Sequence, residues 1–75
     1  MNTAVSDEWI IGCLPSTCPE MALLWMKEND LRHTDQLYQL LKSRIQRHVK
    51  SMEKFGMIEY RYETKDGAKI WHRKD

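Results

Sequence analysis

One stretch constrains the fold of this chain more than any other, because the spacing of its apolar side chains changes partway along. Within residues 43–60, SRIQRHVKSMEKFGMIEY, Ile45 and Val49 recur at the spacing of one helical face. Gly56 follows, a residue suited to the left-handed cap that ends many helices. Alternation then begins at Ile58, as in a half-buried strand. The stretch predicts an amphipathic helix that leads directly into a β-strand.

The strand is predicted to return as a hairpin. Two strands flank the turn sequence TKDG: residues 57–64 and 68–73. A two-residue turn at Asp66-Gly67 pairs Tyr62 with Trp71 and directs Ile70 outward. A type I turn with Gly67 in a bulge places Ile70 opposite Tyr62 and leaves Trp71 more exposed. The sequence does not decide between these registers.

Two helix starts precede this region. Thr17 is a candidate N-cap and Glu20 stands where it closes a capping box, which predicts a helix over residues 18–29. Thr34 is a second candidate N-cap, and Asp35 follows it where the helix dipole favours an anion. A further helix therefore begins at residue 34.

The end of that further helix can be interpreted in two ways. Leu37, Leu41 and Ile45 keep helical spacing, which allows one continuous helix over residues 35–55. Ser43-Arg44-Ile45-Gln46, however, has the pattern of a capping box, and serine suits a cap better than a helix interior. We favour a break near Lys42-Ser43, which gives helices over residues 34–42 and 43–55.

Residues 1–17 are interpreted as an N-terminal extension with a short apolar segment, WIIGCL. The segment is either a helical turn that begins after Ser6 or a short strand. Its apolar side chains need cover. We favour packing on the rest of the domain over a dimer contact.

Length and composition exclude several classes of protein. Seventy-five residues with 41% hydrophobic content predict one small globular domain, placed at residues 18–75. No apolar run reaches the length of a membrane span, and no signal peptide is recognisable, so a cytoplasmic protein is expected. Cys13, Cys18 and three scattered histidines match no zinc-ligand spacing or nucleophile–base pair. We therefore expect no cofactor, no metal and no enzymatic activity.

The formal net charge of +1 conceals an asymmetry between the two parts of the chain. Residues 1–30 contain one lysine and five acids, whereas residues 31–75 contain eleven lysines and arginines and six acids. A basic half of this kind is typical of a surface that meets a polyanion.

The order of elements, with a basic helix before a hairpin, resembles the winged helix-turn-helix family. IQRHVKSMEKFGMIEYR is similar to the third helix and first wing strand of bacterial winged-helix repressors, including the arsenic-resistance and multiple-antibiotic-resistance types. The residues in matching positions are Ile45, Gln46, Arg47, His48, Val49, Glu53 and Gly56, with Thr34, Asp35 and Leu37 at the opening of the second helix.

This resemblance covers roughly residues 18–73 and implies an α+β fold: a winged helix-turn-helix with three helices followed by a two-stranded β-hairpin wing. The chain departs from the family between the second and third helices. The family usually has several residues there, often with a glycine, whereas this chain provides only Lys42-Ser43.

A DNA-binding surface is expected on the polar side of the 43–55 helix and on the wing. Arg47 suits a bidentate contact to guanine, while Lys50 and Lys54 suit phosphate contacts. Gln46 reads a base only if it does not close the capping box. The candidate residues are Ser43, Arg44, Gln46, Arg47, Lys50, Ser51 and Lys54 on the helix, and Lys65, Lys69 and Arg73 on the hairpin.

These features predict a small regulator of transcription that binds double-stranded DNA, with a homodimer possible and no small-molecule substrate. The alternative is a winged-helix module that binds other proteins and does not touch DNA directly. The acids Glu59, Glu63 and Asp66 in the hairpin and the apolar WIIGCL segment favour this alternative.

Overall fold

Three helices precede a two-stranded antiparallel sheet in the computed structural model, which describes residues 2–74. The elements are α1 (Asp7–Cys13), α2 (Cys18–Glu28), α3 (Asp35–Lys54), β1 (Ile58–Glu63) and β2 (Lys69–Arg73). Within the described residues, no helix combines the length and the apolarity that a membrane crossing requires.

Each helix begins at a side-chain hydroxyl that accepts a hydrogen bond from a free backbone N–H of the first turn. Thr17 Oγ1 accepts from the Glu20 N–H at 3.2 Å, and Thr34 Oγ1 accepts from the Leu37 N–H at 3.1 Å. Both predicted helix starts are confirmed. Ser6 Oγ accepts from the Trp9 N–H at 3.2 Å, so the WIIGCL segment is helical rather than extended.

The predicted break near Lys42-Ser43 is wrong, because α3 is one helix of 20 residues. The segments 34–42 and 43–55 are joined without interruption. All five apolar residues at helical spacing are buried on one side: Leu37, Leu41, Ile45, Val49 and Met52. Burying each such side chain contributes about 1.5–3 kcal/mol, whereas a serine cap contributes only about 1 kcal/mol. The unbroken apolar stripe therefore outweighs the local capping signal.

The core extends into the N-terminal segment. Ile10 is fully buried and Leu14 is 6% exposed, so the apolar segment packs on the rest of the domain as favoured above. α1 lies against α3, and the His48 Nδ1 atom is 2.6 Å from the Asp7 Oδ1 atom across that contact. The same core contains Val5 near the start of the described chain.

The hairpin adopts the bulged register. Tyr62 lies opposite Ile70, and the Gly67 N–H donates to the Thr64 carbonyl at 2.9 Å, with Gly67 at a φ of 84°. This is a type I turn followed by a glycine bulge. The structure thereby selects one of the two predicted registers.

A second bulge, at Arg61, was not predicted. Tyr60 pairs with Trp71 while Tyr62 pairs with Ile70, so Arg61 is the extra residue of β1. An extra residue reverses which face the following side chains occupy. Trp71 is consequently only 5% exposed, and the exposure expected of it in this register is wrong.

A backbone bridge ties the α1–α2 connection to the hairpin. The Ser16 N–H donates to the Trp71 carbonyl at 3.1 Å, and the Trp71 N–H donates to the Ser16 carbonyl at 2.8 Å. The chain thus runs helix, bridge residue, helix, helix and hairpin. This α+β arrangement is consistent with winged-helix topology, although its three helices are not the three that the sequence predicted.

Candidate nucleic-acid interface

The helix-turn-helix unit of this structure consists of α2, the connection at residues 29–34 and α3. The connection begins with Asn29, whose side-chain N–H donates to the Trp25 carbonyl at 2.9 Å. Asp30 follows at a φ of 52°, and the Leu31 N–H donates to the Met26 carbonyl at 2.8 Å. The multi-residue turn that the family has between its last two helices is therefore at residues 29–34 in this structure and not at the predicted Lys42-Ser43.

The solvent-facing side of α3 forms what we call the α3 ridge, a row of exposed polar residues at intervals of three and four positions. Its members are Gln36, Gln39, Ser43, Arg47, Lys50 and Lys54. The opposite side of α3 is the buried apolar stripe, so the helix cannot rotate to hide the ridge. The ridge is polar at its N-terminal end and cationic at its C-terminal end.

The cationic residues of the ridge are not neutralised by the protein's own carboxylates. Across residues 2–74, the ion pairs present are His48 with Asp7 and Arg61 with Glu59. Arg47 and Lys50 take part in neither and are exposed. Their charges are therefore available to an external anion, as a phosphate contact requires.

Arg44 lies on the flank of α3 that faces the N-terminal segment. Its Nη1 atom donates to the Thr3 carbonyl at 3.4 Å. Arg44 and Arg47 both line a cavity of about 380 Å³ between this segment and α3. Arg44 is thus partly engaged by the protein itself, whereas Arg47 belongs to the ridge as well.

Because α3 is continuous, the side chain of Gln46 does not act in a helix cap. Since no helix begins at Ser43, the predicted capping box does not form, and the Gln46 amide is not occupied by a backbone N–H. Gln46 is exposed and turned toward the hairpin, where it lines a groove with Lys50 and Lys69.

The hairpin residues are divided between its two ends. Lys69 lies near the turn, with its Nζ atom 5.5 Å from the Tyr60 ring centroid and 6.0 Å from that of Trp71. Lys65 is exposed in the turn itself. Arg73 instead lies opposite Ile58 at the base, about 20 Å away along a six-residue strand.

The structure therefore brings together only part of the predicted site. Three of the predicted residues, Gln46, Lys50 and Lys69, line one groove between α3 and the hairpin tip. Ser43 and Arg47 line the cavity beside the N-terminal segment instead, and Lys65 is exposed in the turn. Ser51 and Lys54 near the C-terminus of α3 and Arg73 at the hairpin base lie at the other end of these elements. All of these residues are exposed.

Sequence reasoning missed three residues of this surface. Gln36 and Gln39 belong to the ridge, and Lys42 lines the groove beside the hairpin. They were missed because the predicted break placed the DNA-facing helix after residue 42. The signal that identifies Gln36 and Gln39 is the Thr34 cap. In a helix that begins there, these two residues lie three positions apart on the face opposite Leu37.

Cys13 and Cys18 are free thiols, of which Cys18 is buried and Cys13 is partly buried. Burial raises the pKa of the Cys18 thiol to about 11, and the neighbouring Lys42 charge opposes the shift only in part. Burial, with a smaller contribution from Glu28, also raises the pKa of Cys13. Both residues are thus protonated thiols near neutral pH. The described part of the chain contains no group of three or more histidine, cysteine or acidic side chains that could hold a metal ion.

No family model, curated protein or solved structure matches this chain. The proposals below therefore depend on the fold and on the geometry of the ridge and hairpin.

Proposed function

We propose that this protein is a small DNA-binding regulator of transcription that places α3 in the major groove and uses the hairpin as a wing on the backbone. One observation carries the proposal: the cationic part of the ridge is exposed and has no ion-pair partner within the described residues, and its Lys50 lines a groove together with Lys69 of the hairpin. A helix that is clamped to a core through its apolar side can present such a face to phosphates without folding back.

The continuity of α3 changes which residues contact bases. In helix-turn-helix proteins the N-terminal part of the second helix meets the base edges. That part of α3 carries Gln36 and Gln39, whose amides suit bidentate pairing with adenine. Arg47 follows on the same face with a guanidinium that suits guanine. Lys50 and Lys69 contact the backbone.

Double-stranded DNA is the partner in this proposal, and a two-fold site bound by a homodimer is its simplest arrangement. A cytoplasmic location belongs to the same proposal. Each subunit would supply one α3 and one wing to a half-site.

The test is a titration of the ¹⁵N-labelled protein with duplex DNA at increasing salt. We expect shifts of amide signals along α3 from Gln36 to Lys50 and around Lys65 and Lys69, with affinity falling steeply as salt rises. The double variant Arg47→Ala, Lys50→Ala should bind at least about tenfold more weakly and reduce the salt slope by about one, because only Lys50 of the two contacts a phosphate in this proposal.

The matched control is Lys27→Ala, Lys74→Ala, which removes the same charge from exposed positions outside the ridge and the hairpin tip. It should retain the affinity of the unchanged protein within about twofold. Equal weakening by both double variants, or no shifts at low salt, would contradict the proposal.

A module that docks on other proteins is the second candidate, and a specific observation favours it. Phe55 is 74% exposed and Met57 is 43% exposed, and only Gly56 separates them in the connection from α3 to β1. The WIIGCL segment no longer supports this function, because Ile10 and Leu14 are buried. A partner bound at Phe55 should be lost in Phe55→Ser and retained in Arg47→Ala, Lys50→Ala, as judged by pull-down.

A further inference from the structure

A groove of about 350 Å³ runs between the middle of α3, the start of α2 and the tip of the hairpin. Lys42, Gln46 and Lys50 line it from α3, and Lys69 lines it from the hairpin. Of the side chains that line it within the described residues, three are lysines and none is acidic. Its volume lies at the lower end of the range of small-ligand sites.

Two of the three ammonium groups lie over aromatic rings that do not themselves line the groove. Lys42 Nζ lies 5.4 Å from the Tyr38 ring centroid, and Lys69 Nζ lies 5.5 Å from that of Tyr60. A cation–π contact is modestly favourable at an exposed site, and it therefore favours these side-chain positions over others. Less side-chain entropy is then lost when an anion binds between them.

The wall behind these charges is apolar. Val49 is 2% exposed and Trp71 is 5% exposed, and both line the groove. Apolar surface lowers the local dielectric constant, which strengthens attraction between the lysines and a bound anion relative to open water.

We propose that this groove binds a phosphate group, with Lys42, Lys50 and Lys69 as its cationic contacts. Compact ammonium groups suit a tetrahedral anion with several charged oxygens, whereas a planar carboxylate is better matched by the arginine fork, and no arginine lines the groove. Gln46 supplies an amide donor beside the lysines.

The phosphate has two possible sources with the same chemistry. A duplex that has α3 in its major groove and the hairpin on its backbone carries a phosphodiester strand through the space between them. In that case the inference rests on the proposed function. A free inorganic or nucleotide phosphate would fill the same groove without DNA.

The experiment titrates inorganic tripolyphosphate into the ¹⁵N-labelled full chain at low salt. We expect saturable shifts confined to the groove, including the amides of Lys42, Gln46 and Lys69. Lys42→Gln, Lys69→Gln should weaken tripolyphosphate binding at least about tenfold. The matched control, Lys27→Gln, Lys74→Gln, should change it by less than about twofold. The dispersion of the spectrum verifies that each variant is folded.

Absence of tripolyphosphate binding, or equal weakening by both double variants, would overturn the inference whatever DNA does. When binding depends on Lys42 and Lys69, a duplex arm identifies the source. Parallel loss of duplex affinity in Lys42→Gln, Lys69→Gln assigns the groove to the DNA backbone. Unchanged duplex affinity assigns it to a free phosphate, and an absence of any duplex binding refutes the proposed function alone.

Discussion

Burial of Cys18 changes the pKa of its thiol. The residue is 7% exposed in the core beside the groove, and burial raises the pKa of its thiol from 9.0 to about 11. The protein therefore keeps this thiol protonated at pH values where the unfolded chain begins to lose the proton.

Stability should consequently fall as the pH rises from about 9 toward 11, since the unfolded state then binds fewer protons than the folded state. Two pH units of difference in pKa correspond to at most about 2–3 kcal/mol. The urea midpoint measured between neutral pH and this range should decrease more steeply in the unchanged protein than in Cys18→Ala. Parallel decreases in the two proteins would show that Cys18 has no such role.

Exposed charges matter in a different way from buried groups. The His48–Asp7 pair is half exposed, so it contributes little to stability despite its 2.6 Å separation. Arg47 and Lys50 have no carboxylate partner within the described residues, and removing them costs the fold almost nothing. Loss of DNA affinity in Arg47→Ala, Lys50→Ala can therefore be interpreted as loss of binding rather than of structure.

At the scale of elements, α3 makes the sharpest prediction, because Ser43 and Thr34 resemble each other in sequence and differ in structure. Thr34 caps the helix, whereas Ser43 lies in its interior. Thr34→Ala should destabilise the protein by about 1 kcal/mol through loss of the cap. Ser43→Ala should stabilise it by a few tenths of a kcal/mol, because alanine is the better helix interior residue.

Thermal or urea denaturation of the two variants measures both changes. Each variant is the control for the other, since both remove a hydroxyl from the same helix. Destabilisation of about 1 kcal/mol by Ser43→Ala would show that a second helix begins there after all.

The sequence predicts a feature of these elements correctly when the residues that determine it are close together in the chain. The caps at Thr17 and Thr34 depend on neighbours three residues away and were identified correctly. The predicted break at Ser43 was wrong because the local capping pattern competes with burial of the whole apolar stripe of α3. The energy of that burial depends on tertiary contacts, which the local sequence does not show. The bulge at Arg61 depends on Trp71 entering the core, and no local pattern indicates that.

At the scale of the whole molecule, the N-terminal segment is part of the fold rather than an appendage. Three of its apolar residues lie in the common core: Val5, Ile10 and Leu14. Ser16 adds two backbone hydrogen bonds to Trp71. The winged arrangement was predictable from the order of helix and hairpin signals, but this dependence on residues before 18 was not, because it joins distant parts of the chain.

A chain that begins at residue 18 should therefore fail to fold. Burial of the three apolar side chains contributes about 1.5–3 kcal/mol each, which approaches the total stability of a small domain. Amide signals of the truncated chain should collapse into the narrow range of an unfolded protein, whereas a chain that carries Glu8→Ala at an exposed position should remain dispersed. A well-dispersed spectrum from residues 18–75 would contradict this expectation.

Because α3 is continuous, the two surfaces proposed for binding lie near its opposite ends. Twenty residues of helix form a straight rod of about 30 Å, close to the 34 Å longest extent of the protein. In the DNA complex proposed above, the N-terminal part of α3 contacts the bases, and Phe55 lies at the opposite end of the helix. A partner protein bound at Phe55 would then leave the surface around Gln36 free for a duplex, so the protein could bind both at once.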